Sequence, residues 1–255
     1  MDKNSFAKII KCEDKNMLSN IYDKIKLAEK TQKTIFSNEF FSPNLWSVIA
    51  GLDKSFDINI FAYGIFEEAE RRMLAFSPDI VDEYPVKLIK IENKSRFEKL
   101  THRDFLGAVM ALGIKREKFG DLILDDNKCY LAICDDIVDY IVYNLNYVGR
   151  CPCEVHLVEN YSLDIKANSE EYTVFMTSFR LDCVVSSLCN ISRSKAVDLI
   201  HSGKVFVNYI ETYEKDSNVE INSTLTIRGY GKFKVIDEIG STQKGRMKIL
   251  MKKYI

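Results

Sequence analysis

Residues 179–209 contain the pattern that most constrains how this chain can fold. Apolar residues at spacings i, i+3, i+4 and i+7 predict a short helix with one buried face: Leu181, Val184, Val185 and Leu188. A second helix is expected after Ser192, whose hydroxyl can accept a hydrogen bond from a first-turn N–H. Gly203 can adopt the left-handed conformation that ends this helix, and residues 204–208 alternate as a strand. The segment therefore predicts helix, tight turn, helix and strand.

The outward-facing residues of the second predicted helix indicate an anion site. Arg193, Ser194 and Lys195 occupy its first turn, where backbone N–H groups without intrahelical partners favour an anion. Two cations at this end oppose the helix macrodipole, and a bound phosphate would reverse that penalty. His201 and Lys204 follow one or two turns later. Taken alone, Ser-Arg-Ser-Lys is more often a solvated helix start, so that interpretation stays open.

Further residues of the C-terminal region extend this pattern. They are Arg180-Leu181-Asp182, Ser192-Arg193, Ala196, Ile200, Gly203, Val205, Val207-Asn208, Arg228-Gly229 and Gly231-Lys232. The set resembles the RNA-binding domain named after ribosomal small-subunit protein four, which has the αL-type fold. The resemblance implies RNA contacts from Arg180, Ser192, Arg193, Ser194, Lys195, His201, Lys204, Asn208, Arg228 and Lys232.

Two features near these positions have more than one interpretation. The family usually has Gly after the Asn of Val-Asn, and Tyr209 stands there instead. Tyr tolerates a positive φ poorly, which argues against a two-residue type I′ turn. Aromatic residues surround the basic strands, and they either stack on unpaired bases or pack within the hairpins: Tyr209, Tyr213, Tyr230 and Phe233.

The charge distribution separates the C-terminal region from the rest of the chain. The whole chain has a formal net charge of −1, which by itself argues against a nucleic-acid binder. Residues 179–255, however, hold 13 Lys and Arg against 8 Asp and Glu, a net charge of +5, whereas the remainder holds 23 against 29, a net charge of −6. An asymmetry of this kind indicates a nucleic-acid-binding module joined to an acidic body.

Periodicity in residues 1–165 predicts a mixture of helices and strands. Helices are expected over residues 15–36, 43–51, 101–112 and 135–147, and strands over 58–62, 72–76, 86–91, 121–124, 129–133 and 154–158. The predicted fold class is α+β. It comprises a helical N-terminal segment (residues 1–55), an RRM-like or ferredoxin-like α+β domain (56–165) and the αL-type RNA-binding domain (175–255).

Two motifs in this body resemble the bacterial YlmH family. They are Ala69-Glu70-Arg71-Arg72 and LTHRDFLGAVMALGIKREKFGD, residues 100–121. The resemblance implies binding to structured rRNA, with tRNA, on the large ribosomal subunit, and a role in ribosome-associated quality control or translation. It also implies a link to cell division, and a scaffold that contacts cell-division proteins is the alternative function. A monomer is expected.

The same motifs suggest a second RNA-facing patch in the body. Its members are Arg71, Arg72, Arg103, Lys115 and Arg116. Glu117 and Asp121 dilute the charge of this region, so a solvated surface remains the alternative.

Catalysis is not expected. Arg180-Leu181-Asp182 resembles the catalytic triplet of pseudouridine synthases, but only 73 residues follow it, too few for the sheet of such a domain. We expect Asp182 to cap or pair locally, for example with Arg180 or with the helix end near Lys204. His102-Arg103-Asp104 spells a kinase triplet without the other kinase motifs, and Thr101 is better explained as a helix N-cap.

Metal, cofactor and membrane binding are not expected either. Cys151-Pro-Cys153 with His156 has no second ligand pair of the kind that a closed zinc site requires. The seven cysteines are odd in number and mostly in apolar patterns, which is typical of reduced thiols in a cytoplasmic protein. The longest apolar run, residues 105–114, is shorter than the ~20 residues that a membrane span requires.

Overall fold

A computed structural model describes residues 1–10, 12–66, 68–95, 98–159, 165, 169–243 and 245–254. The chain forms two compact units, Met1–Lys166 (unit 1) and Ala167–Ile255 (unit 2). The α+β fold class is confirmed, while the division at residues 55, 165 and 175 stays a prediction.

The described helices are α1 (Lys3–Ile10), α2 (Lys15–Thr31), α3 (Pro43–Ala50), α4 (His102–Ala111), α5 (Val138–Asn144), α6 (Leu181–Cys189) and α7 (Arg193–His201). Short 3₁₀ turns cover Asp53–Ser55, Arg116–Lys118 and Asp135–Ile137. The strands of unit 1 are β1 (Ile35–Phe41), β2 (Asn59–Tyr63), β3 (Arg72–Ser77), β4 (Val86–Asn93), β5 (Phe119–Asp125), β6 (Lys128–Cys134), β7 (Tyr147–Val148) and β8 (Cys151–Val158). Those of unit 2 are β9 (Ser169–Met176), β10 (Val205–Val207), β11 (Ile210–Glu211), β12 (Thr224–Ile227), β13 (Gly231–Ser241) and β14 (Met247–Tyr254).

The first sheet of unit 1 has the strand order β1-β3-β2 and is antiparallel. Helices α1, α2 and α3 cover it through a core that includes Phe6, Ile25 and Ile49. The helix predicted over residues 15–36 is too long, because Gln32 turns into the left-handed conformation (φ 52°) and caps α2. Residues 35–41, which are rich in Phe and Ile, form β1 instead, so the segment 1–55 contains a strand as well as helices.

The second sheet of unit 1 has the order β5-β6-β4-β8-β7. One face packs against α4 and α5 through residues such as Ile89, Phe105 and Ile141. The other face contributes Leu88 to a cluster shared with Phe40 of the first sheet. The Phe40 ring lies so close to Gly120 that a Cβ there would come within 2.9 Å of it, which explains the glycine at this position. Each face of this sheet therefore contributes residues to a buried core of unit 1.

Unit 2 is a six-stranded sheet in the order β11-β10-β12-β13-β14-β9, with α6 and α7 packed on one face. Its core joins the predicted helical stripe of Leu181, Val184 and Val185 to strand residues such as Phe233 and Met251. Strand β9 was not predicted. It pairs along its whole length with β14 and adds Val174 and Met176 to the core, so the first strand of the sheet starts at residue 169.

The turn between β10 and β11 corrects the prediction about Tyr209. Val207 pairs with Ile210, and the two intervening residues, Asn208 (φ 49°) and Tyr209 (φ 67°), both have positive φ, as a type I′ turn requires. The Asn208 side-chain oxygen accepts a hydrogen bond from the backbone N–H of Thr224 (2.9 Å). The backbone N–H of Asn208 donates to the Thr224 carbonyl (2.8 Å). These contacts to β12 hold the hairpin in a conformation that tyrosine alone disfavours.

Candidate nucleic-acid interface

A buried carboxylate organises the basic residues at the start of α6 and α7. Asp182 accepts hydrogen bonds from Arg180 Nε (3.2 Å) and Nη2 (3.3 Å), and its Oδ2 also accepts one from Arg193 Nη2 (2.8 Å). The Asp182 side chain is 6% exposed, whereas the side chains of Arg180 and Arg193 are 42% and 57% exposed. The carboxylate thus fixes two guanidinium groups that still face solvent. The predicted pairing with Arg180 is confirmed, and the pairing with Arg193 was not foreseen.

Electrostatics keep this carboxylate ionised. Burial by itself raises the pKa of Asp182, but the hydrogen bonds and charges of Arg180 and Arg193 outweigh burial and lower the pKa from 3.8 to about 2. The same contact raises the pKa of Arg180 above its ordinary value. The three groups are therefore all charged near neutral pH, and together they carry a net charge of +1.

The first turn of α7 has the capped geometry that the sequence predicts. Ser192 is extended (φ −65°, ψ 152°), and its hydroxyl accepts a hydrogen bond from the Lys195 N–H at 3.3 Å. Ser192, Arg193, Ser194 and Lys195 are all exposed, whereas Ala196 and Ile200 on the same helix are buried. The helix therefore presents its N-terminus, its cap and two cations on the side that does not pack.

The other predicted contact residues lie in different places. His201 ends α7, and Gly203 (φ 66°) turns the chain as predicted. Lys204 is exposed, and its carbonyl accepts a hydrogen bond from the Arg228 N–H at 2.9 Å, which brings these two residues together. Asn208 instead uses its side chain to hold the β10–β11 turn. Lys232 lies on β13 in register with Thr226 and Tyr254, on the face of the sheet opposite the helices.

Of the four aromatic residues near these strands, one is buried in the core and three are at least partly exposed. Phe233 is buried in the core of unit 2, which settles its packing role. Tyr213 and Tyr230 are 52% and 40% exposed. Tyr209 is partly exposed, with the ammonium group of Lys232 5.0 Å from its ring centroid.

The five members of the second patch predicted in unit 1 have different environments, and this patch stays a prediction. Arg71 Nη2 donates to the Phe40 carbonyl (2.6 Å), and Arg116 Nη1 donates to the carbonyls of Phe119 (2.6 Å) and Gly120 (3.1 Å). Arg72 lies over the Trp46 ring, 4.6 Å from its centroid. These three arginines are partly buried and serve the packing of unit 1. Of the five predicted members, Arg103 and Lys115 are exposed.

Asp121 connects the two motifs of unit 1 (residues 69–72 and 100–121) by hydrogen bonds. Its carboxylate accepts hydrogen bonds from the backbone N–H groups of Glu70 (2.5 Å) and Arg71 (3.3 Å). The first motif is thereby tied to the end of the second, beside β5. No local sequence pattern indicates this contact, because 50 residues separate Arg71 from Asp121.

Residues considered for chemistry have structural contacts. Thr101 and Asp104 form a capping box at the start of α4, as expected for a helix N-terminus. The Cys151 thiol donates a hydrogen bond to Glu98 (3.1 Å), and the Cys153 thiol donates one to the Leu145 carbonyl (3.5 Å).

In the described ranges, no group of three or more His, Cys, Asp or Glu is arranged to hold a metal ion. Among the helices of those ranges, none is long and apolar enough to span a membrane.

Comparison with known proteins found a family match for part of unit 1. Residues 79–162, which contain α4, α5 and β4 to β8, match the family described as the putative RNA-binding domain in YlmH. The fold and this match define the class as an α+β protein with an RNA-binding domain of that type. The chain is, more particularly, a YlmH-like RNA-binding protein.

The similar proteins include one curated relative and one solved structure. The ribosome-associated protein quality control protein P2 of Bacillus subtilis (strain 168) is 25% identical over 216 residues, covering 83% of this chain and 84% of that one. The solved structure of the cell division protein ylmH from Streptococcus pneumoniae has a TM-score of 0.50 and 24% identity, and covers 60% of this chain and 95% of that one. The second similarity shows a shared fold.

Proposed function

We propose that this chain binds structured RNA of the ribosome, rRNA and/or tRNA on the large subunit, and acts in ribosome-associated quality control or translation. The observation that carries the proposal is the pair of guanidinium groups fixed on Asp182 beside the capped N-terminus of α7. The similarity to the Bacillus subtilis ribosome-associated protein supports the ribosomal setting.

The geometry suits phosphate groups held in a fixed arrangement. A guanidinium presents donors in a rigid fork, and one that is already oriented loses less entropy when it binds a phosphate. Arg193 and Lys195 stand at a helix N-terminus, where backbone N–H groups add to the attraction of an anion. A folded RNA offers phosphates at constant spacing, which favours structured RNA as the ligand of this surface.

The same contacts argue for binding rather than chemistry. Both oxygens of the Asp182 carboxylate already accept hydrogen bonds from arginine. A nucleophilic carboxylate needs an oxygen directed at the reacting atom, and strong charge-assisted bonds reduce its nucleophilicity. We therefore assign Asp182 to positioning the two guanidinium groups and propose no catalytic step.

The test replaces the two cations of the first turn of α7. Arg193→Glu with Lys195→Glu removes two phosphate contacts and adds two repulsions, while the buried residues Ala196 and Ile200 are unchanged. Each lost contact should lower the slope of log K against log salt by about 0.7–0.9. Co-sedimentation of the full chain with large ribosomal subunits should therefore be lost at moderate salt.

A matched control carries the same charge change in unit 1. Lys33→Glu with Lys54→Glu alters two exposed lysines and should leave co-sedimentation intact. Unchanged co-sedimentation of the folded α7 variant would remove this helix from the RNA interface. Retention of cell-division proteins by a variant that no longer binds ribosomal RNA would favour the alternative scaffold function.

A further inference from the structure

The face of the unit 2 sheet that points away from α6 and α7 carries its own set of cations and rings. Side chains along a strand alternate between the two faces of a sheet. Leu225, Phe233 and Met251 point into the core with the helices. Their neighbours Lys232 and Lys252 therefore lie on the opposite face, where both are partly exposed.

Strand pairing arranges this outer face into two rows across the sheet. The first row runs through Phe206, Thr226, Lys232 and Tyr254. The second runs through Thr224, Lys234, Lys252 and Glu171. Lysines thus occupy adjacent positions on β13 and β14, with aromatic rings at both ends of the first row.

The cations and rings of this face contact one another. The Lys232 ammonium group lies 5.0 Å from the ring centroid of Tyr209 and 5.1 Å from that of Tyr254. Lys252 approaches the Tyr254 ring at 5.5 Å, and the Arg228 guanidinium stands 4.9 Å from the Phe206 ring. Such cation–π contacts restrict the rings, so the aromatic surfaces are oriented before any ligand binds.

Three lysines lie near the centre of this face: Lys232, Lys234 and Lys252. Lys234 stands directly opposite Lys252, and like charges at paired positions destabilise a sheet. Lys234 forms no salt bridge with any residue that the structure describes. The acidic residues lie at the margins: Glu171 on β9, Glu211 on β11 and Asp237 beyond an irregularity in β13. The three lysines of this face are thus grouped on β13 and β14.

We propose that this outer face binds an unpaired segment of RNA. Lys232, Lys234 and Lys252 would contact its phosphates, and its bases would stack on the rings of Phe206 and Tyr254. Cations interleaved with oriented rings match the two repeating parts of a single strand, the phosphate and the base. The proposal rests on the proposed function, since it assumes that this chain binds RNA, but it assigns a separate surface and a separate kind of RNA segment.

The test measures binding of the full chain to a fluorescein-labelled oligouridylate of about 12 nucleotides, a length within the site size of single-strand-binding folds. Lys234→Glu with Lys252→Glu should weaken binding at least ~10-fold and lower the salt slope by about 1.4, which is twice the value for one single-strand contact. Tyr254→Leu should weaken binding about 10-fold and leave the salt slope unchanged, because it removes stacking and no charge.

Matched controls keep the test specific. Lys33→Glu with Lys54→Glu repeats the charge change in unit 1, and Tyr143→Leu removes a tyrosine that is 78% exposed on α5. Both should bind oligouridylate as the unaltered protein does. Lys234→Gln with Lys252→Gln removes the charges without adding acids and serves if the double Glu variant does not fold.

The two proposals fail in different ways. Arg193→Glu with Lys195→Glu should lose co-sedimentation with large subunits and keep oligouridylate binding. Unchanged oligouridylate affinity in the folded sheet variants, or no binding by the unaltered protein, would overturn the outer-face proposal and leave the α7 interface standing. Loss of oligouridylate binding in the sheet variants, together with unchanged co-sedimentation of the α7 variant, would support the outer face and remove α7.

Discussion

The Asp182 carboxylate accepts a 2.8 Å hydrogen bond from Arg193 Nη2 and thereby joins the first turn of α6 to the first residue of α7. Arg180, which precedes α6, binds the same carboxylate. A phosphate-binding arginine usually loses side-chain freedom when it meets its ligand, and here part of that freedom is already lost in the folded protein. The contact therefore couples the stability of unit 2 to the geometry of its candidate interface.

Asp182→Asn should reduce stability in a pH-dependent way. The folded pKa of about 2 lies below the ordinary value of 3.8, so the contribution is present above pH ~4 and is lost as pH falls towards 2. The variant should lose about 2 kcal/mol of unfolding free energy at pH 7 and much less at pH 2. Urea unfolding of the full chain at both pH values measures this difference.

The control for that experiment is Asp198→Asn, an exposed residue of α7, which should change stability by less than about 0.5 kcal/mol. An Asp182→Asn variant as stable as the unaltered protein at pH 7 would mean that the two arginine contacts contribute nothing.

The same substitution distinguishes positioning from catalysis. Asp182→Asn should leave rRNA and tRNA pseudouridines unchanged in cells, because we assign Asp182 to holding Arg180 and Arg193. Pseudouridine mapping in strains with the variant and the unaltered protein measures this. Loss of one defined pseudouridine, with the variant still folded, would make the synthase interpretation correct.

Separate fragments should show that unit 2 supplies most of the electrostatic attraction to RNA. A fragment of residues 167–255 should fold and bind structured RNA with strong salt dependence, and residues 1–166 should bind far more weakly. A fragment starting at residue 179 should fold poorly, because it lacks β9 and exposes the core partners of Val174 and Met176. Circular dichroism and RNA binding at matched salt measure both effects. Equal affinity of the first two fragments would move the site to unit 1.

The basic residues of unit 1 should separate into structural and solvent-facing members. Arg116→Met removes the donor to two backbone carbonyls and should lower stability by about 1–3 kcal/mol. Burial lowers the pKa of Arg116 to about 10, so this arginine remains charged at neutral pH. Arg103→Glu with Lys115→Glu should leave the unfolding free energy nearly unchanged, because both residues are exposed. The RNA affinity of this variant should change by no more than about twofold. A larger loss of RNA affinity would support the second RNA patch predicted in unit 1.

The elements that could be predicted from the sequence are those whose signals are local. The stripe of α6, the Ser192 cap and the left-handed Gly203 all depend on residues within one or two helical turns, and each was found as predicted. The capping box of Thr101 and Asp104 is local for the same reason. Propensity, periodicity and capping act over a few residues, so a single sequence reveals them.

Features that depend on contacts between distant residues became visible in the folded chain. Arg193 meets Asp182 across 11 residues and Asp121 meets Arg71 across 50, and no pattern in the chain marks either pair. Tyr209 adopts a positive φ because Asn208 is held by Thr224 on another strand. Lys232 reaches the face opposite α7 through sheet register, which pairing with β12 and β14 sets. Long-range packing energy overrides local preference at these positions, and that energy exists only once the chain has folded.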